Sequence, residues 1–354
     1  MSNGSSPNII ELVDRVYADI KDRKLRPGDA YLNSADTAKY FKVSTHAANR
    51  ALQLLAKRRV ITRKQRVGTM VALEQSTDVE REGLDVIHLL VREDYFKSEG
   101  VLADGVVMGM QSELPRAGIQ FNFLPLDEER DRLTGLIDRV LKSDRREAFV
   151  LVRSSLATQR LVAQSGCPAV VHGTPYPSVS PLWSLDRDHQ SCASQMVSYL
   201  TGVRGCRQIV LMMREKLHAG DHVLLDALQH ELGRAGLSYG DVSLRCLPQD
   251  EELVRHELAS CLRGDDMTGV ICANEFLANV ARDVIQESQL EDHALAGLLT
   301  FYRRPGHRDP GLPYTQPALN PEEIGSEVVK LLLRQVQGES CPSHHAYPVE
   351  LLGV

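Results

Sequence analysis

Residues 25–72 read LRPGDAYLNSADTAKYFKVSTHAANRALQLLAKRRVITRKQRVGTMVA. Asn33 suits the N-cap of a short helix that runs to Phe41, KVS makes a turn, and Ser44 suits the cap of a following helix whose Ala48, Ala51, Leu52 and Leu55 share one face. Upstream, Ile9, Leu12, Val13, Val16, Tyr17 and Ile20 recur at helical spacing, and LRPGD stops that helix. Downstream, VIT and GTMVA read as two short strands joined by RKQRV, a hairpin in which Gly68 permits the turn. The order is three helices, the second and third at helix-turn-helix spacing, and then a β-hairpin.

Charge is segregated in the same place. Between Ala56 and Val71 stand Lys57, Arg58, Arg59, Arg63, Lys64 and Arg66, and from Lys42 to Leu73 there is no acidic residue. Residues 1–75 hold 14 Lys and Arg against 7 Asp and Glu; with 41 basic and 47 acidic residues in the whole chain, the remainder carries a balance of −13. Two differently employed units follow from that contrast. A basic recognition helix and wing place cations along a phosphate backbone while the helix enters the major groove, so double-stranded DNA is the expected partner.

The Pro-Gly-Asp loop, the V-S turn, the A-L on the third helix and the basic wing ending G-T-x-V resemble the winged-helix domain of GntR-type transcription regulators over residues 9–72. The resemblance implies DNA contacts from Thr45, His46, Asn49 and Arg50 on the third helix, and from Arg63, Lys64 and Gly68 on the wing. Thr45 and Asn49 stand where that family commonly has Arg. Arg reads guanine and Asn reads adenine, so an operator sequence does not carry over.

Behind the polar stretch EQSTDVEREG, apolar strand-like runs alternate with helical ones: DVIHLLV, IQFNFLPL, AFVLVRS, PAVVHG, RQIVLMM, DVSLRCLP, TGVICAN and ALAGLLTF. Continuous strands between amphipathic helices predict parallel sheets with both faces covered, an α/β fold, and nearly 270 residues of it suit two lobes about a cleft. The expected organisation is a winged helix-turn-helix over residues 1–73, a linker over 74–84 and a two-lobed unit over 85–354.

SLDRDHQSCASQMVSYLTGVRGCRQIVLM, GVICANEFLANVARDVIQE and LPYTQPALNPEEIGSEVVKLLLRQVQGE, in that order, resemble the LacI and periplasmic-binding-protein-like effector domain. That resemblance implies a small-molecule effector held between the lobes and puts Asp188 and Asn274 at family positions. Asp188 either bonds a ligand hydroxyl or caps a helix, and Asn274 either meets the ligand or steadies its loop. Arg92, Ser154, His172, Trp183 and Tyr302 are candidates by strand-end position alone. Trp183, the single tryptophan, either stacks on a ring or fills core. REKLHAGDHVLLDAL lacks the Arg of the sugar-binding members, and AGLLTFYRR lacks their carboxylate, so a sugar is not carried over as the effector.

No catalytic site is expected, because G-x-G-x-x-G after a strand, G-x-x-x-x-G-K-[ST] and G-x-S-x-G are all missing from the sequence. His218 and His222 have metal-binding spacing and CPSHH at 341–345 clusters donors, but neither brings a further ligand set, so no metal and no cofactor is expected. Seven scattered cysteines without a C-x-x-C pair suggest no disulfide framework. MSNGSSPN has the features of no signal peptide, and no apolar run approaches the roughly 18 residues of a membrane span, so a cytoplasmic protein without membrane attachment is expected. The reading is a ligand-responsive repressor binding a palindromic operator as a homodimer. A cytoplasmic small-molecule-binding protein, or an α/β enzyme whose basic segment reads no DNA, is the competing class.

Overall fold

The computed structural model describes residues 9–26, 28–57, 60–64, 68–72, 83–92, 104–125, 129–179, 182–262, 266–299, 310–339 and 344–354. The amino-terminal unit runs α1 (Ile9–Asp22), β1 (Ala30–Tyr31), α2 (Ser34–Phe41), α3 (Thr45–Lys57), β2 (Ile61–Lys64) and β3 (Gly68–Val71). Asn33 accepts from the amides of Ala35 and Asp36, and Ser44 Oγ accepts from Ala47 N at 3.1 Å, so both expected caps form. Leu12, Val13, Val16, Ala51, Leu52, Leu55 and Ile61 are sealed inside. The hairpin gains a third strand: β1 pairs antiparallel with β3, giving the order β1-β3-β2. Strand β2 also reaches further than VIT, pairing Arg63 with Thr69 and Lys64 with Gly68. Of the expected turn RKQRV, residues 65–67 lie outside the described residues, as do residues 73–82 of the expected linker.

The first lobe follows as β4 (Val86–Arg92), α4 (Asp104–Glu113), β5 (Gly118–Leu124), α5 (Glu129–Lys142), β6 (Glu147–Val152), α6 (Leu156–Ser165), β7 (Ala169–His172) and β8 (Trp183–Arg187). The second comprises α7 (His189–Val197), β9 (Gln208–Arg214), α8 (Ala219–Arg234), β10 (Val242–Leu247), α9 (Glu251–Cys261), β11 (Thr268–Cys272), α10 (Glu275–Glu287), β12 (Ala294–Leu298) and β13 (Tyr314–Pro317). The chain then returns to the first lobe through α11 (Pro321–Val336) and β14 (His344–Tyr347) and ends in the second with β15 (Val349–Leu352).

The sheets are ordered β14-β8-β7-β6-β4-β5, all parallel, and β10-β9-β11-β12-β13-β15, parallel but for the final antiparallel pair. Every residue of β11, and all of β4 but Arg92, is buried, the pattern of inner strands covered on both faces. The edge strands β5 and β10 carry exposed positions instead.

Three segments join the lobes: Arg187–Asp188, residues 318–320, and Pro348. They are stitched together. Asp188 N donates to Tyr347 O and Ala318 N to Pro348 O, each at 2.9 Å. The Gln195 side chain clasps the last strand, donating to Val349 O at 3.0 Å and accepting from Leu351 N at 2.9 Å.

Candidate functional site

Helix α3 has two faces. Ala47, Ala48, Ala51, Leu52, Leu54 and Leu55 are buried, whereas Thr45, His46 and Gln53 are exposed and Asn49 and Arg50 half-buried. The outward positions 45, 46, 49, 50 and 53 form one stripe at helical spacing. No acidic residue occupies the first turn, so the partial positive charge of the helix start meets an approaching phosphate unopposed.

Ser34, at the start of α2, ties this stripe to the wing. Its Oγ donates to Asn49 Oδ1 at 3.2 Å and accepts from Arg63 Nη2 at 2.9 Å. Asn49 is thereby held through Oδ1, and its amide NH2 bonds nothing among the described residues. Arg50 Nε is buried without a hydrogen-bond partner among the described residues. Gly68 has φ +105, a left-handed conformation that favours glycine, and it faces Lys64 across the hairpin. The Lys64 side chain lies outside the described residues. Gln53 and Ser34 were not singled out from the sequence. Gln53 continues the 46, 49, 50 spacing, which is a readable signal; the link through Ser34 depends on how α2 and α3 pack.

The second site lies at the carboxyl ends of the strands of both lobes. In the first lobe Val152 lies in register with His172, and His172 with Leu185, so Arg153, Gly173 and Asp186 form a row along one end of the sheet. The second lobe approaches this row: a Cβ on Gly220, at the start of α8, would stand 3.2 Å from Thr174 Oγ1 and 3.4 Å from His189 Nε2. Ser154 is buried and accepts from Gln159 Nε2 at 3.2 Å. Arg153 has φ +44, an uncommon left-handed backbone at a strand end.

Asp186 is the hub. It accepts from Thr174 Oγ1 at 2.6 Å and lies 3.0 Å from His189 Nε2. Burial works to raise its pKa, but the bond to His189, the charge of Arg187 beside it and the Thr174 hydroxyl together hold the carboxyl well below the usual range. The opposite happens at His172, where burial first, and then the Arg153 charge, push the imidazole below its ordinary value despite the pull of Asp186. His172 Nδ1 and His189 Nδ1 are buried and have no hydrogen-bond partner among the described residues. Across the cleft Arg214 closes β9 and pairs with Asp221 at 3.1 Å.

Asp188 and Asn274 both cap helices. Asp188 Oδ1 accepts from Ser191 N, and Asn274 Oδ1 from Leu277 N, each at 2.9 Å. Neither side chain is exhausted by this, since Asp188 Oδ2 and Asn274 Nδ2 bond nothing among the described residues. Arg92 ends β4 on the cleft side. Trp183 stands apart: it opens β8 at the end away from the cleft, 4% exposed, with Arg334 5.2 Å over its ring, which is the core role of its two readings. Tyr302 lies outside the described residues. His218 caps α8, and His344 Nδ1 lies 2.8 Å from Ser184 Oγ. Among the described residues no three His, Cys, Asp or Glu side chains gather as a metal site, and no helix is long and apolar enough to cross a membrane.

Residues 9–71 match the model of the family described as bacterial regulatory proteins, gntR family. No curated protein matches the chain. Among solved structures, a transcriptional regulator CelR–cellobiose complex is 18% identical, covers 97% of this chain and 98% of its own, and gives a TM-score of 0.60. A probable maltose operon transcriptional repressor malR from Staphylococcus aureus is 12% identical over 76% of this chain and 96% of its own, with a TM-score of 0.61. A regulatory protein of the LacI family from Chloroflexus aggregans, 18% identical, covers 75% and 96% with a TM-score of 0.60. The amino-terminal unit is thus a GntR-type winged helix-turn-helix, and the two-lobed unit has the LacI-like fold.

Proposed function

We propose that this DNA-binding transcription regulator, a GntR-type winged helix on a LacI-like effector unit, is a ligand-responsive repressor that binds a palindromic operator as a dimer. The observation that carries the reading is the α3 stripe, acid-free in its first turn and joined to the wing through Asn49, Ser34 and Arg63. One such head reads few base pairs, and two on a symmetric site multiply affinity through effective concentration. A surface suited to self-association lies on the edge strand β5, where Phe121 and Phe123 are 42% and 45% exposed and stack at 6.4 Å. We assign the domains at residues 1–73 and 85–354 and the linker at 74–84.

The effector occupies the cleft. Asn274 Nδ2 and the two imidazole nitrogens, unpartnered among the described residues, together suit a small ligand rich in acceptor oxygens, with Asp188 Oδ2 taking a donor. Three crossing segments, each a few residues long, allow the lobes to close on it, and the effector shifts DNA affinity by its preference for one arrangement. The test is a salt titration of binding to the DNA upstream of the chain's own gene, alongside random duplex. A sequence-selective, salt-sensitive complex is expected at two protomers per site, and a non-selective or absent complex would defeat the reading.

A further inference from the structure

At the end of the first lobe away from the cleft, the loops after α4 and α5 come together with the start of β4. There Gly83, Asp85, Arg116, Lys142, Asp144, Arg145 and Arg146 face Gln53 and Ala56 of α3 and Arg63 of the wing across a groove of about 1060 Å³. The winged helix is seated against this end. Leu54 of α3 fits over Gly166, which has φ +70 and whose Cβ, if present, would collide with Leu54 Cδ1, and Leu141 of α5 packs on the winged-helix core.

The groove's charge is unexpected for its owner. Everything beyond residue 75 carries a balance of −13, yet the lobe's side of the groove holds four basic residues against two acidic ones. Asp85 is committed to Arg146, whose backbone amide donates to Asp85 Oδ2 at 2.6 Å with the guanidinium 3.8 Å away. Arg116, Lys142 and Arg145 are exposed, and their charged groups bond nothing among the described residues. The last turn of a helix favours a cation, which accounts for Lys142 alone. It does not account for Arg116 and Arg145, which reach the same groove from two different loops.

We propose that Arg116, Lys142 and Arg145 form a second DNA-contact surface, on the effector lobe itself, that meets the phosphate backbone flanking the bases read by α3. The inference rests on the DNA-binding function above and extends its footprint beyond the winged helix. Gln53 of the α3 stripe and Arg63 of the wing, which Ser34 ties to that stripe, both line the groove wall, so the two surfaces are continuous. The groove, at about 1060 Å³, is a little larger than the roughly 300–1,000 Å³ typical of small-ligand sites, and it takes the edge of one phosphate strand while the duplex lies along its mouth. Because α4 and α5 also carry the lobe's core, such a contact couples DNA directly to the unit that senses the effector.

The experiment uses the full chain carrying Arg116→Ala, Lys142→Ala and Arg145→Ala together, with a Lys142 variant carrying R116K and R145K as the charge-conserving control. Each lost phosphate contact removes about 0.9 from the slope of log affinity against log salt, so the triple variant's slope falls by roughly 2 to 3 while the control keeps the parental slope. Operator and random duplex lose affinity by the same factor, since phosphates carry no sequence, and hydroxyl-radical protection shrinks at the flanks with the centre kept. The variant's melting temperature stays close to the parent's, because the three charged groups bond nothing among the described residues and only Lys142 gives up a favourable place at a helix end. An unchanged slope and footprint in a folded triple variant would overturn the proposal. A parental protein that binds neither operator nor random duplex at low salt would instead overturn the DNA-binding reading beneath it.

Discussion

The α3 stripe and the interlobe cleft differ in how their residues are employed. On α3 the outward side chains come from nine consecutive positions and do little for the fold, since among the described residues only Asn49 is held, by Ser34. In the cleft the residues come from separate strand ends, and nearly all already serve the structure: Asp186 holds Thr174 and His189, Asp188 and Asn274 cap helices, and Ser154 braces Gln159. Function and stability are separable in the first region and entangled in the second. Substitutions on α3 are therefore expected to change binding without changing the melt, and those in the cleft to change both.

The largest expected break in that contrast is Asp186→Ala. It leaves the Thr174 hydroxyl and His189 Nε2 buried without their acceptor and strands the neighbouring Arg187 charge, a class of loss that costs about 3 kcal/mol. Urea unfolding of the variant checks it, and a loss under about 1 kcal/mol would show that the hub is not structural. Asn49→Ala should do the reverse. About 2 kcal/mol of discrimination is lost at one base pair, with stability unchanged, if the amide reads a base edge; equal weakening on operator and random DNA would make Asn49 a backbone contact.

This difference also governs what was legible in the sequence. The winged helix could be read because its signals are local: Asn33 and Ser44 as caps, and the 48, 51, 52, 55 spacing of the inward face, whereas positions 45, 46, 49 and 50 rest on the family resemblance. Strand β1 escaped because two residues carry no period. In the lobes, the inner strands announced themselves as apolar runs, but β8, β13, β14 and β15 did not. WSLDR, YTQP, HHAY and VELL are short and mixed because they sit where the chain passes between lobes. Trp183 misled for a related reason: without β8's boundaries, nothing said which end of the strand it occupied. The pairing of Asp186 with His189 was hidden as well, since it depends on the turn from β8 into α7 and carries no periodic signal.

Between the two extremes lies a pH effect confined to the cleft. The imidazole of His172 titrates below 6.5 in the folded protein and near 6.5 unfolded, so the unfolded chain binds the extra proton first. Stability is therefore complete above about pH 6.5 and falls as pH drops below it, by at most about 1.4 kcal/mol per pH unit until the folded imidazole also titrates. Asp186 adds a loss only at far lower pH, where its carboxyl takes up a proton. Melting temperatures between pH 7 and 5 should fall less steeply for His172→Gln than for the parent, and parallel curves would mean that the imidazole is not held neutral.

The smallest stability change carries the sharpest test of the cleft. Asp188→Ala and Asn274→Ala each remove a side-chain cap, which costs about 1 kcal/mol, so both variants should melt slightly early yet cooperatively. Among the described residues both side chains bond only their own helices, and operator affinity without effector should stay parental. If Asp188 Oδ2 and Asn274 Nδ2 also bond the effector, each variant needs more of it for release. The effector's hold on DNA comes only from its preference for one lobe arrangement, a coupling of typically about 1 to 3 kcal/mol, so a lost ligand contact moves the midpoint and leaves the unliganded baseline in place. Early melts combined with parental effector midpoints in both variants would make the two residues caps alone and move the ligand to other strand ends, with Arg153 and His172 the next to substitute.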